Sequence, residues 1–318
     1  MKARWGISSI ERCGSCCLRS GARWLLPAAM YVGYWGLAWA ISISIRRASC
    51  LTWGVCGFPA APWGSVSMAQ ALVTVAVPSY RQGRFLDQAL SSILAQEVPV
   101  EVFVMDGGSD DETLAVLDRW KDRLAGWRSH SDGGQSEAIN EGLARGRAPY
   151  VCWLNSDDWL LPRGLSCLLA ALERAPDAAL AYGGTWDWIE ATGRRRRSLV
   201  LPFSEWMMAR VNVISQPGTL IRRTAWEAVG GVDPRLHMAM DYDLWWRLYR
   251  YAGTPVRAPD MVAVNRVHGL TKTSTQRHRH YQEAMAVVQR HHGKVPLKWW
   301  LARPYAVWWR GWRGSAGG

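Results

Sequence analysis

Aspartate is missing from the first 67 residues, and from Lys294 to the end there is no acidic residue at all. Those ends are basic instead, with seven Lys/Arg against the lone Glu11 in 1–67 and five against none in 294–318. The formal net charge is +12, and taking away +6 and +5 for the ends leaves only +1 for 68–293. A near-neutral middle argues against a nucleic-acid groove, which needs a continuous basic face. Basic ends suit a negatively charged surface such as anionic lipid. Histidine is absent before His130, and the one CxxC, Cys13 to Cys16, has no second pair at zinc spacing, so a zinc site is disfavoured. Beyond residue 67 only Cys152 and Cys167 remain; they read as small buried apolar residues and suit a reducing compartment.

Residues 1–67 differ from the rest in composition and keep no amphipathic period. Within them Trp24 to Ile45 is 22 residues without a charge, long enough to cross a bilayer. Five basic residues precede that segment and only Arg46 and Arg47 follow it closely, a bias that would send everything after Ile45 out of the cytoplasm. Two readings therefore stand for 1–67: an over-extended start ahead of Met68, or a membrane segment around 24–45.

From Leu72 the pattern is that of an α/β domain, 68–293. Leu72–Val77 is a buried strand ending on Pro78, Ser79 and Tyr80; Phe85–Gln96 has apolar residues at helical spacing; Val100–Met105 is a second strand ending on Asp106, Gly107 and Gly108. Strand and helix in alternation specify a mostly parallel sheet flanked by helices. Further strands are expected at Ala179–Gly184, Ile214–Ile221 and Met261–Val267, with helices at Arg163–Arg174, Thr224–Val229 and Leu244–Tyr251. Arg194 to Arg197 follow Gly193 in the turn of a hairpin, where a solvated tip is the plainer reading and a phosphate site the other.

The chemistry gathers where strands end. Tyr150–Leu154 is a short apolar run that stops on Asn155, Ser156, Asp157 and Asp158, and in an open α/β sheet ligands bind at such carboxyl ends. Adjacent carboxylates there suit a hard divalent cation holding a diphosphate, or else an Asx turn with Asp158 capping the next helix. In His130–Gly142 two glycines let backbone approach a ligand, and Asp132 can accept from a base or ribose. Of Asp241 and Asp243, one can cap the following helix while the other faces the cleft. His268, beside Gly269, reads on its own as a surface histidine. The tail, 294–318, interleaves five Trp with Lys and Arg, which suits a membrane-surface helix; the alternative is a helix packed on the domain.

Four stretches, VAVPSYRQGRFLDQALSSILAQ (75–96), VFVMDGGSDDET (102–113), SDGGQSEAINEGLARGRAPYVCWLNSDDWLLP (131–162) and SQPGTLIRRTAWEAVGGVDPRLHMAMDYDLWWRL (215–248), resemble the family 2 glycosyltransferases in order and spacing. The resemblance covers roughly 72–275 and implies a GT-A fold with a single nucleotide-sugar-binding domain. It implies that Asp106 and Asp132 contact base and ribose with Pro78 and Tyr80 beside them, and that Asn155 stands first in the acidic motif. Asp157 is implied as the acid that binds Mg²⁺ or Mn²⁺, with Asp158 its neighbour and His268 approaching the metal or diphosphate. Asp241 is implied as the catalytic base of an inverting transfer from a nucleotide-diphosphate sugar to a hydroxyl of a surface polysaccharide or lipid-linked glycan, at the inner face of the cytoplasmic membrane. The chain departs from the pattern at Asn155, Gly107 and Met240, each standing where an acid is usual, so a catalytically silent nucleotide-sugar or membrane-surface binding protein on the same scaffold is the rival. A nucleotidyltransferase is disfavoured, because Ser79, Tyr80 and Arg81 do not make a Gly-rich phosphate loop.

Overall fold

The computed structural model describes residues 70–269 and 271–305. The segment 24–45 and the tail beyond Tyr305 lie outside them, and among the described residues no helix is long and apolar enough to cross a membrane.

The chain opens with β1 (Val73–Ser79), α1 (Gly83–Leu94), β2 (Val100–Asp106), α2 (Thr113–Trp120), β3 (Gly126–Ser129), α3 (Gln135–Arg145) and β4 (Tyr150–Trp153). These strands pair in parallel in the order β3-β2-β1-β4. Alternation along them sorts side chains to two cores. Val73, Val75 and Val77 of β1 and Cys152 of β4 face Leu86, Leu90 and Leu168 on one side, while Ala76, Val151 and Trp153 face Ile139 and Leu143 on the other. β3 escapes a reading by apolar pattern because GWRS sits at the sheet's edge, with Trp127 exposed and only Arg128 buried.

Next come β5 (Trp159–Leu160), α4 (Gly164–Arg174), β6 (Leu180–Ile189), β7 (Arg194–Arg197), α5 (Glu205–Met208), β8 (Thr219–Arg222) and α6 (Arg223–Ala228). The described chain closes with α7 (Met240–Ala252), β9 (Val256–Val267), α8 (Lys272–Thr275), α9 (Arg277–His292) and α10 (Leu297–Arg303). The sheet continues from β4 as β8-β6-β9-β5, with β8 antiparallel to both neighbours and β6 and β9 parallel. Six strands thus run one way, and β5, β7 and β8 run against them. Behind β4 and β8 the second core fills with tryptophan: Trp153 stacks on Trp245 at 5.8 Å and meets Trp226 at 6.0 Å.

Several expectations are corrected. The strand foreseen from Ile214 begins only at Thr219, because Gln216–Gly218 form a 3₁₀ turn around Pro217, which has no N–H for a ladder. Arg194–Arg197 are not the hairpin tip; they form β7, pairing with Trp186–Ile189, and the tip is Gly193 at φ +62°. α7 starts at Met240, four residues early, and neither Asp241 nor Asp243 caps it. The amides of His237, Met238 and Ala239 are collected by Glu283 of α9 at 3.0, 2.7 and 3.2 Å. In α10, Trp299 packs on the second core and donates to the Ala209 carbonyl at 2.9 Å, while Leu297, Trp300 and Leu301 face outward.

Candidate active site

The carboxyl ends of β1, β2 and β4, the turn before β8 and the start of α7 surround a cleft of about 800 Å³. Pro78, Tyr80, Asp132, Asn155, Asp157, Asp158 and Asp241 line it; Asp106 and His268 lie just outside its lining.

At the β2 end, Asp106 is fully buried. Its carboxylate accepts from the Gly108 and Ser109 amides at 3.1 and 2.9 Å and from the Ser109 and Ser129 hydroxyls at 2.5 Å each. Gly108 makes this turn possible with φ +82°. Asp106 is thus sealed away from the cleft, where a direct contact to base or ribose was expected, and its carboxylate shapes the loop that presents Gly107 instead. A Cβ on Gly107 would come within 3.3 Å of Tyr80 Cδ2 and 3.6 Å of Asp132 Oδ1, so an acid in its place would crowd both. Asp132 accepts from the Gly134 amide at 2.9 Å and pairs with Arg128 at 2.9 Å. Arg128 also donates to the Asp106 carbonyl at 2.6 Å and grips Glu141 at 2.7 Å, tying β2, β3 and α3 together under the loop. Burial opposes its charge, but Glu141 and Asp132 outweigh that and hold the guanidinium above its ordinary range.

At the β4 end the two neighbouring acids diverge. Asp157 Oδ2 lies 3.0 Å from His268 Nε2 and 3.4 Å from Gln82 Nε2. Asp158 is buried, accepting from the Arg266 amide at 2.8 Å and from Asn155 Nδ2 at 3.2 Å. Burial, and then the adjacent Asp157 charge, push its carboxyl well above the usual carboxylate range. Through the Arg266 amide Asp158 braces β9 against the β4 end. Asn155 joins Gln135 at 2.7 Å and Gln216 at 3.3 Å. His268 is buried, not the surface histidine its surroundings in sequence suggest, and it packs against Phe85 at 5.0 Å.

Among the described residues no group of three or more His, Cys, Asp and Glu could hold a metal ion. Mg²⁺ beside a diphosphate needs only one or two protein ligands, the rest coming from phosphate and water. The Asp157 carboxylate meets that need, His268 Nε2 beside it adds a nitrogen suited to Mn²⁺, and His268 Nδ1, buried without a partner, does not fix the ring's tautomer. The pair fits such an ion.

At the start of α7, Asp241 faces the cleft and takes one side-chain hydrogen bond, from Asn212 Nδ2 at 3.3 Å. Burial raises its carboxyl above the ordinary range, with the Tyr242 amide, the His280 charge and Asn212 pulling partly back. Asp243 points the other way, to Arg247 at 2.7 Å, His291 at 2.8 Å and Arg290 at 3.1 Å, and these partners overcome burial to hold it at about 2.

Some lining residues had no signal in the sequence. Lys272 Nζ donates to Gln135 Oε1 at 2.8 Å; burial lowers its pKa while Asp157 pulls it back. Gln82 sits in a polar turn and Asn212 in an apolar run between Val211 and Val213, and nothing in the sequence singles either out.

Residues 74–224 match the family model described as glycosyl transferase family 2. An uncharacterized glycosyltransferase of Rickettsia conorii is 26% identical over 199 residues, which are 59% of this chain and 33% of that protein. The chain spans between 28% and 66% of the length of the first five curated relatives it matches. Among solved structures, S. aureus TarS in complex with UDP-GlcNAc aligns with TM-score 0.57 at 17% identity, over 69% of this chain and 66% of that one. The mannosyltransferase PcManGT of Pyrobaculum calidifontis, in complex with GDP-Man and Mn²⁺, aligns with TM-score 0.57 at 20% identity, over 79% of this chain and 76% of that one. At those identities the two structures speak for the fold, a GT-A domain in keeping with the strand order here, and within it residues 74–224, just under half of the chain, carry the match to glycosyl transferase family 2.

Proposed function

We propose that the chain transfers a glycosyl group, with inversion, from a nucleoside-diphosphate sugar to an acceptor hydroxyl in the synthesis of a surface polysaccharide or lipid-linked glycan. The observation that carries this reading is that Asp157 and Asp241 open into one cleft with different surroundings, one beside His268 and the other left with a raised carboxyl. A carboxylate whose pKa is raised by burial holds a proton more strongly than a solvated one yet still titrates as an acid, which suits a general base. Asp241 accepts the proton of the attacking hydroxyl, and Asn212 fixes its carboxylate. Asp132 is held by Arg128, Asp158 by the Arg266 amide and Asp157 by His268, so among the described residues lining the cleft no second acid stands free as the nucleophile that retention requires.

Pro78, Tyr80 and Asp132 receive the nucleoside, with Asp132 held in place by Arg128. Lys272 adds a cation on the diphosphate side, and Asn155 orients Gln135 and Gln216 there. Asp157 and His268 are the residues that would hold Mg²⁺ or Mn²⁺, and the ion when bound offsets charge developing on the departing diphosphate. The named ligands of the two structural neighbours, UDP-GlcNAc and GDP-Man with Mn²⁺, support the donor class. Contact with the inner face of the cytoplasmic membrane through the basic tail is part of this reading, supported by the outward Leu297, Trp300 and Leu301 of α10.

A thermal-shift screen of UDP- and GDP-sugars with Mn²⁺, followed by NMR of the product's anomeric proton, tests it. The expected result is one stabilising donor, inverted product and loss of turnover in EDTA. Retained configuration would overturn the mechanism, and donor binding without any nucleotide release would favour the silent scaffold.

A further inference from the structure

β7 puts the four-arginine run on a strand, so its side chains alternate between two faces. Arg196 turns to Asp187 at 3.1 Å on one face. Arg195 and Arg197 turn the other way and stack on Trp186 at 5.2 and 5.6 Å. Cross-strand pairing puts Trp188 and Arg266 on that second face, and Trp159 with them through Val264. Trp159 meets Trp188 at 6.4 Å, and the Arg266 guanidinium lies over both Trp159, at 4.8 Å, and Phe85, at 4.5 Å. The inner end touches the site, since Arg266 Nε donates to the Asp157 carbonyl at 2.9 Å. The result is a strip of half-buried indoles and guanidinium groups from the cleft floor to the sheet's edge. Among the described residues Arg194, Arg195 and Arg197 make no ion pair, and the one acid along the strip is Glu190, 3.9 Å from Arg84.

The geometry points to a binding track for a negatively charged glycan chain, formed by Trp159, Trp186, Trp188, Arg195, Arg197 and Arg266. Indole faces match the flat apolar faces of pyranose rings, and guanidinium groups match carboxylate or phosphate. The track holds a stretch of the acceptor remote from the hydroxyl being glycosylated. A lipid surface fits less well: these indoles are half-buried and braced by arginine, whereas the side chains that protrude as a bilayer requires are Trp300 at 52% exposure and Leu301 at 71% on α10. The inference rests on the transferase reading for the word acceptor, but its binding test does not.

Fluorescence anisotropy of the full chain with a labelled hyaluronan decasaccharide, a glycerol-phosphate decamer and a neutral maltodecaose tests it, with phosphatidylglycerol vesicles as a fourth probe. The two anionic oligomers are expected to bind at least about tenfold more tightly than maltodecaose, and R195E/R197E is expected to weaken them by about tenfold, each lost contact being a modest surface interaction. Trp186→Ala is expected to weaken them with the charge unchanged, and melting curves check that both variants are folded. Affinities within about twofold of wild type in R195E/R197E, the outcome if the arginines only protect an edge strand, would overturn the track. So would sensitivity confined to the vesicles. Donor hydrolysis by the unmodified protein is measured alongside, and its absence would count against the transferase reading while leaving the anisotropy result to stand.

Discussion

Along β3-β2-β1-β4 the acids at the rim are locked into their own loops, Asp106 by four hydrogen bonds and Asp132 by Arg128. Around α7 two acids on one turn are driven apart, with Asp243 held at about 2 by cations and Asp241 raised by burial. The strand rim, the half assigned to the nucleotide in the proposed function, uses charge to fix backbone. The start of α7, the half assigned to the acceptor in the proposed function, concentrates its cations on Asp243 and leaves Asp241 with a single weak side-chain partner. Titratable groups whose surroundings separate their pKa values are the usual mark of a division of labour between structure and chemistry.

On the donor side the largest expected effect comes from Asp157→Ala, which removes the charged group proposed to hold the ion beside the diphosphate. Turnover should fall by at least about a hundredfold, with donor affinity falling too, as seen by calorimetry with Mn²⁺. Asp243→Ala should cost about 3 kcal/mol by leaving Arg247, Arg290 and His291 around an empty centre, a fall in Tm of roughly 6–10 °C. Asp241→Asn should do the opposite, leaving Tm unchanged or slightly raised, because it removes a charge that burial disfavours. Equal losses of stability in the two variants would erase the contrast.

The linkage has a sign for each acid. Asp243, depressed from an ordinary 3.8 to about 2, contributes stability that is present above pH 3.8 and lost as pH falls through about 2. Acid titration of Tm should show that loss between about pH 4 and pH 2, and Asp243→Asn should flatten it. Asp241, raised in the fold, favours folding below its ordinary value and loses that contribution as pH rises through its folded value. Turnover should accordingly rise with pH along an acid limb above the ordinary carboxylate range. The smallest effect is expected for Lys272→Ala, a rise in donor KM of about threefold to tenfold with kcat little changed.

The alternation of strand and helix from Val73 to Trp153 was legible because parallel strands buried on both faces are continuous apolar runs, and the acids stood out where those runs stop. What the sequence could not carry was direction. Asp106 and Asp132 look alike in their loops, yet one is sealed beneath the surface and the other lines the cleft. Burial of His268, the clamp made by Arg128 and the grip of Glu283 on residues 237–239 all depend on elements far apart in the chain meeting in space. Arg194–Arg197 were misread because a charged run on an edge strand has no apolar alternation to betray it.

In the proposed mechanism the contrast between the two regions comes down to Asp241 acting on the acceptor while the strand rim holds the donor. Steady-state turnover and donor Kd measured side by side for Asp241→Asn test that most directly. The account predicts turnover lower by about 10²–10⁴-fold with donor Kd within about twofold of wild type. Turnover near wild type, or a collapse of donor binding, would contradict it.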